Sequence, residues 1–424
     1  MSTPSVVALG VFIIAYALVV SEDFTRLRKS KPLLLGAGVI WVLAALDQSQ
    51  ERLAEGMKDS VYEFGQLFLF LLVAITYVNA IRARGVFDWV SRRLLANRGG
   101  LRRAYWITGT LAFLLSPVAD NLTTALVLGA TVVAIGKDNE RFVVIACINI
   151  VVAANAGGAF SPFGDLTTLM VWQAGKVDTA SFPLLIAPAL ASWLVPATVM
   201  QFAIARKDVA TSHTDAKLGK DWAIVVALFA ATVTTAVLFH SVLHLPPFLG
   251  MTTGLGYYML YCYWDCRRHG DLEHPGSKVF EHIRGVEWDT MLFFFGVILC
   301  LGGLQVLGHM STAAQALYGG IGTTSASVVI GLASAILDNV PVMFAVLGMD
   351  PVMNQSDWLM VTLTAGIGGS LLSVGSAAGV ALMGTSRGIY TFSRHLVWTP
   401  VIMLGYGTGI AVHMWIASAG LIPS

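Results

Sequence analysis

The sequence predicts an all-α polytopic membrane protein made of inverted repeats, with two re-entrant hairpins and two broken helices. Three observations carry that prediction. Only 12% of the 424 residues are charged while 56% are hydrophobic, about half the charge of an ordinary soluble domain. The basic residues sort to one side of the apolar segments. An Asp-Asn pair, each with a nearby proline, recurs deep inside two apolar runs.

A spanning helix needs roughly 20 apolar residues. Candidate spans run over 5–20, 32–46, 61–81, 182–205, 222–239, 246–264, 288–307 and 396–417. The first lacks a basic leader and a clear cleavage site, which predicts a membrane span and not a removed signal. Three further regions, 104–136, 141–173 and 321–384, are apolar but interrupted by Gly, Pro, Asp and Asn. The predicted organisation is an N-terminal span and loop over 1–31, a first repeat over 32–205, a cytoplasmic linker over 206–221 and a second repeat over 222–424.

Lysine and arginine set the orientation. With both termini outside and regions 104–136 and 320–348 each entering and leaving on one side, 23 of the 26 basic residues fall inside. Only Arg52, Lys58 and Lys176 fall outside. That bias satisfies the positive-inside rule, and it requires the two hairpins. A net charge of +1 leaves no footprint for nucleic acid. Cys147, Cys262, Cys266 and Cys300 lie in or beside apolar stretches without CxxC or zinc spacing, and no cofactor is expected.

The repeat is legible as grammar. Leu115-Ser116-Pro117-Val118-Ala119-Asp120-Asn121-Leu122-Thr123-Thr124 corresponds to Ser334-Ala335-Ile336-Leu337-Asp338-Asn339-Val340-Pro341. Downstream, Gly157-Gly158 with Gly164 six residues after the second glycine corresponds to Gly368-Gly369 with Gly375. Upstream, Phe68 to Leu71 and Leu292 to Phe295 occupy similar places. Paired broken helices in inverted repeats point to a midplane binding site, because unwound backbone survives at membrane depth only where it lines a polar cavity.

The chemistry at the breaks is acidic and oxygen-rich. Asp120, Asp165 and Asp338 each sit in apolar sequence at a predicted break. One such Asp could be a helix cap; three at related breaks point to function, because an intramembrane carboxylate is costly. Sodium takes hard oxygen ligands. Asn121, Thr123, Thr124, Thr167 and Thr168 offer them around the first break, and Asn339, Ser373 and Ser376 around the second. A sodium ion is assigned to Asp120, Asn121 and Asp165. Ser116, Asn155, Asp289 and Ser334 are secondary candidates. Glu63 reads as a solvated end charge, and His240, His244, His309 and His413 as interface histidines near the outer ends.

These stretches resemble the NhaD-type sodium/proton antiporters of the ion transporter superfamily. The resemblance rests on 116–124, on 149–172 (NIVVAANAGGAFSPFGDLTTLMVW) and on Asp338-Asn339, and it covers nearly the whole chain. It implies a homodimer in a bacterial inner membrane, with export of Na+ or Li+ against entry of H+. Dicarboxylate carriers of the superfamily carry Ser-Asn-Thr at the hairpin tips. Asp stands in place of that serine at both tips here, and an added carboxylate repels an anion while supplying a titratable cation ligand. The second tip reads Asn-Val-Pro and lacks the two threonines of the first. The expected activity is therefore cation/proton competition for midplane carboxylates. The alternative is a sodium-coupled carboxylate or metalloid anion carrier, which needs a basic group near the breaks. An intramembrane aspartyl protease would need a Gly-x-Gly-Asp motif, and Pro162-Phe163-Gly164-Asp165 fails it.

The charge distribution yields a test of topology. Cysteines introduced at Gly100 and at Lys137 should both react with an impermeant maleimide from the cytoplasmic side. Labelling from opposite sides would remove the first hairpin and the orientation with it.

Overall fold

The computed structural model describes residues 2–25, 27–95, 100–136, 139–205, 218–269 and 277–422. Most of the expected linker, 206–217, and Lys137 lie outside the described residues. In chain order the helices are α1 (Thr3–Val20), α2 (Glu22–Thr25), α3 (Ser30–Asp47), α4 (Gln50–Ala83), α5 (Val86–Leu95), α6 (Leu101–Ala119), α7 (Asn121–Ile135), α8 (Glu140–Gly158), α9 (Leu166–Gln173) and α10 (Ile186–Met200). They continue as α11 (Trp222–Ser241), α12 (Pro247–His269), α13 (Ser277–Arg284), α14 (Trp288–Val306), α15 (His309–Ala314), α16 (Thr323–Ser334), α17 (Asn339–Met349), α18 (Gln355–Gly368), α19 (Ala377–Thr385), α20 (Phe392–Leu396) and α21 (Thr399–Ser418). A 3₁₀ segment, Thr179–Leu185, leads into α10. The chain is all-α, and among the described residues eight helical segments are long and apolar enough to cross a membrane.

Two compact units form, and they cut across the sequence halves. Unit 1 comprises 1–86, 218–316 and 344–350; unit 2 comprises 87–217, 317–343 and 351–424. In unit 1, α3 lies against α14 so closely that a Cβ on Gly296 would fall 2.8 Å from the Cβ of Leu33. Small residues permit such close approach where lipid offers no hydrophobic drive for helix association. Trp41 Nε1 donates to Leu299 O at 2.9 Å across the same pair. Tyr77 of α4 donates to Gly254 O of α12 at 2.7 Å and accepts from Thr232 of α11 at 3.0 Å. One buried hydroxyl thus joins three helices. Phe64, four residues before the first Phe run, meets Phe295 of the second, with ring centroids 4.6 Å apart.

Helix α4 departs from the expected span at 61–81. It has 34 residues and starts at Gln50, capped by Ser49, which gives a length of about 51 Å. The segment from Glu51 to Ser60 is polar, so it reads as loop when only apolar runs are sought. The cap and its helix-favouring residues extend the helix beyond the hydrocarbon instead. The expected span 396–417 likewise begins later, at Thr399, because a separate turn, α20, precedes it.

Unit 2 is built around α8 and α18. Residues 142–158 and 358–368 are all buried. A helix apolar on every side belongs in a core, and this explains why neither region showed a one-sided stripe. Buried Asn149 ties the surroundings of α8 together: its Nδ2 donates to Tyr105 O at 3.0 Å, and its Oδ1 accepts from Trp193 Nε1 at 2.8 Å.

One polar pair closes the end of α4 in unit 1. Arg84 donates to Asp221 Oδ2 through Nε at 2.9 Å and Nη2 at 2.6 Å. Burial pushes the Asp221 carboxyl up, but the hydrogen bond and charge of Arg84 outweigh it and hold the group below the ordinary carboxylate range. A depressed carboxylate stabilises the fold above its unfolded pKa and loses that contribution as pH falls through the folded one. Asp221→Asn should therefore lower the unfolding temperature at pH 7 by about 2–4 °C, as fits a partly exposed pair. The deficit should shrink as pH approaches 3. Thermal scans in detergent at the two pH values check this, and a deficit independent of pH would contradict it.

Candidate cation site

Four interruptions of helix lie in unit 2: at Asp120 between α6 and α7, over Ala159–Asp165 between α8 and α9, over Ala335–Asp338 between α16 and α17, and over Gly369–Ser376 between α18 and α19. Pro117 in the last turn of α6 removes a backbone donor there. Asp120 follows with φ 57° and ψ 162°, a region nearly reserved for glycine that costs of order 1–3 kcal/mol. The side chain recovers part of that cost by capping α7. Its Oδ1 accepts from Thr123 N at 2.7 Å and its Oδ2 from the Thr123 hydroxyl at 2.9 Å.

The same contacts recur in both halves. Ser116 donates to Ala154 O at 2.6 Å, and Ser334 to Ala365 O at 2.8 Å. A Cβ on Gly157 would collide with the carbonyl of Phe113, and one on Gly368 with the carbonyl of Gly331. The partners on α6 and α16 are 218 residues apart in each case, and those on α8 and α18 are 211 apart.

Asp165 is the most enclosed of the three carboxylates, at 5% exposure. Asn339 Nδ2 lies 3.2 Å from its Oδ1 and 3.0 Å from its Oδ2, and Thr167 donates to Oδ2 at 3.0 Å. Asp338 is near enough to act on it electrostatically. Gly366 of α18 leaves space beside it, since an added Cβ would sit 3.4 Å from Oδ2. The break after α8 therefore meets the start of α17 and α18 at one carboxylate. A carboxylate accepts only, so the Asn339 amide must turn its nitrogen toward Asp165 and its oxygen away. Asn121 makes the corresponding use of its nitrogen, donating to Asn155 Oδ1 at 3.1 Å. No donor to the Asn121 or Asn339 amide oxygens occurs among the described residues, which leaves two hard oxygens unspent.

The other candidates divide. Thr124 Oγ1 and Asn155 Nδ2 are buried without a partner among the described residues. Thr168 spends its donor on the backbone, on Ser161 O at 2.7 Å and Asp165 O at 2.6 Å. Ser376 caps α19 by accepting from Gly379 N at 3.4 Å. Ser373 is buried against Met383 Sδ at 3.3 Å. Asp289 belongs to unit 1, where it accepts from Ser30 at 2.6 Å. Sequence reasoning missed Ser161, whose hydroxyl donates to Pro117 O at 2.8 Å, and Gly366. The second was recoverable, because it stands 211 residues after Asn155, the spacing already set by the Gly-Gly pairs.

Apolar helices enclosing helix breaks lined with carboxylate, amide and hydroxyl groups define a membrane transporter for a small polar solute. Residues 7–366 match the family described as Citrate transporter. Within it, this chain belongs to the NhaD-type Na+/H+ antiporters. The NhaD antiporter of Alkalimonas amylolytica is 46% identical over 97% of this chain and 90% of its own. That of Vibrio cholerae is 46% identical over 97% and 92%. The crystal structure of the Alcanivorax borkumensis YdaH transporter superposes with a TM-score of 0.54 at 12% identity, covering 99% of both chains; this likeness concerns the fold alone.

The carbonyl collisions set a packing test. Backbone cannot rotate away, so Gly157→Ala and Gly368→Ala should each lower the unfolding temperature, although alanine is ordinarily better than glycine in a helix by about 1 kcal/mol. Gly10→Ala meets nothing within 4 Å and should be neutral or stabilising. Equal behaviour of the three variants in detergent melts would refute the close approach.

Proposed function

We propose that this chain exchanges Na+ or Li+ for H+ across the membrane by competition for the carboxylates at the breaks. One observation carries the proposal: Asp165 is buried on unwound backbone and held by neutral donors. No Lys or Arg among the described residues forms an ion pair with it. Asn339, Thr167 and the Leu166 backbone amide are all neutral donors, so none of them cancels the charge, and a positive partner can. That partner can be a proton, or a sodium ion completed by the amide oxygens of Asn121 and Asn339 and nearby hydroxyls. Without either, the group is a charge in a poorly solvated place; with either, it is neutralised and can cross. Asp120, Asp165 and Asp338 titrate as a coupled set in this scheme.

In the same reading, the recurring contacts reflect an inverted repeat. The pairs α6–α7 and α16–α17 are its re-entrant hairpins, and α8–α9 and α18–α19 its broken helices. The termini face outward, and two copies pair as a homodimer. An anion carrier would need a basic side chain facing the substrate, and the donors on Asp165 are neutral instead.

Purified protein in vesicles with an imposed proton gradient tests this. Na+ or Li+ should dissipate the gradient, and succinate or citrate should not. Asp120→Asn and Asp165→Asn should reduce Na+-dependent exchange at least tenfold without lowering the yield of folded protein, because each removes a buried charge. Asp338→Asn should also stop exchange while keeping weak Na+ binding by calorimetry. Transport of a dicarboxylate with no response to Na+ alone would overturn the proposal, as would normal exchange by Asp165→Asn.

A further inference from the structure

The two breaks in the long helices are stabilised differently. A helix end leaves carbonyls without intrahelical donors, and at membrane depth each must find another. Around the first break Thr168 of α9 donates to Ser161 O, and Ser161 donates to Pro117 O of α6. At the second, donors arrive from α20 and the start of α21. His395 Nε2 lies 3.0 Å from Ser370 O, and Thr399 donates to Leu371 O at 2.8 Å.

His395 is 0% exposed. Its Nδ1 lies 2.7 Å from the hydroxyl of Tyr390, itself 1% exposed. The carbonyl of Ser370 can only accept, so Nε2 carries the hydrogen. In the neutral ring Nδ1 then accepts, and Tyr390 donates to it. A partner that fixes one imidazole nitrogen fixes the tautomer and the ring orientation.

The platform under the ring is itself tied down. Ser386 Oγ accepts from Tyr390 N at 3.1 Å and lies 3.2 Å from Tyr390 O. Arg394, next to the histidine, donates to Ile389 O at 2.8 Å and pairs with Glu140 at the start of α8 at 2.9 Å. The first half offers no equivalent: between α9 and α10, residues 174–185 contain no histidine.

We propose that His395 is a positioning residue of the cation site. Its Nε2–H, oriented by Tyr390, holds the Ser370 carbonyl and thereby the course of the loop 369–376. That loop presents Ser373 and Ser376. The inference rests on the reading of this break as part of the cation site. Its function is to set how well the loop meets the ion, so it acts on affinity more than on the rate of the loaded carrier.

The test is Na+-dependent dissipation of a proton gradient by the full chain in vesicles, read as apparent KM and maximal rate. His395→Ala removes the donor and should raise the apparent KM for Na+ about tenfold, which corresponds to roughly 1.4 kcal/mol. The rate at saturating Na+ should stay within about twofold. His395→Gln returns an amide N–H to the place of Nε2 and should bring KM back to within about threefold of the wild type. Tyr390→Phe keeps the ring packing and removes only the hydroxyl; it should raise KM about threefold, and it serves if His395→Ala does not fold. A residue that merely packs would lower the amount of folded protein and leave KM of the remainder unchanged, and that result overturns the proposal. So does a Gln variant that behaves like Ala, or an unchanged KM in Tyr390→Phe. Asp165→Asn in the same assay separates the levels: its loss of exchange keeps the site reading whatever His395 does, and its normal exchange removes that reading itself.

Discussion

Every peptide group inside a bilayer must find its hydrogen bond within the protein, and unit 2 contains four places where a helix stops doing so for itself. Side-chain donors bridge the elements around them. Ser116 of α6 and Ser334 of α16 reach to carbonyls near the ends of α8 and α18. Ser161 and Thr168 close the first break, and His395 and Thr399 the second. The apolar helices can be interrupted only because these donors are present, and the interruptions supply the polar groups that a cation or proton could use.

That constraint also explains the composition of α8 and α18. A helix whose end must be approached by a second backbone cannot carry bulky side chains there. Gly157 and Gly368 admit the carbonyls of Phe113 and Gly331, and burial on all sides removes any amphipathic stripe. Asn149 is polar within this core yet satisfied at both ends of its amide, so it fixes packing and needs no ligand.

Much of this was legible in the residues. The apolar spans followed from length and charge, and the breaks from Asp-Asn, proline and Gly-Gly. Their pairing was proposed from the shared Asp-Asn and Gly-Gly grammar of the two halves. Three things were not. The start of α4 was hidden because a polar helix outside the hydrocarbon has the composition of a loop. The contact of Asn339 with Asp165 joins residues 174 positions apart, and no local pattern encodes it. His395 was not singled out, since nothing in its neighbourhood of sequence points to Ser370. The candidate list also drew in Asp289, an acidic residue at a helix start that the fold uses to hold Ser30.

The strained backbone at Asp120 has a kinetic side. Its unfavourable φ, ψ pair is set when the chain folds, and the two Thr123 donors keep the carboxylate in one orientation from then on. In the proposed exchange an arriving ion would meet oxygens that are already aimed, so little reorganisation would accompany association. Departure has correspondingly little to undo. A carboxylate held this way suits a carrier that must release its cargo many times over, where tight retention would slow the cycle.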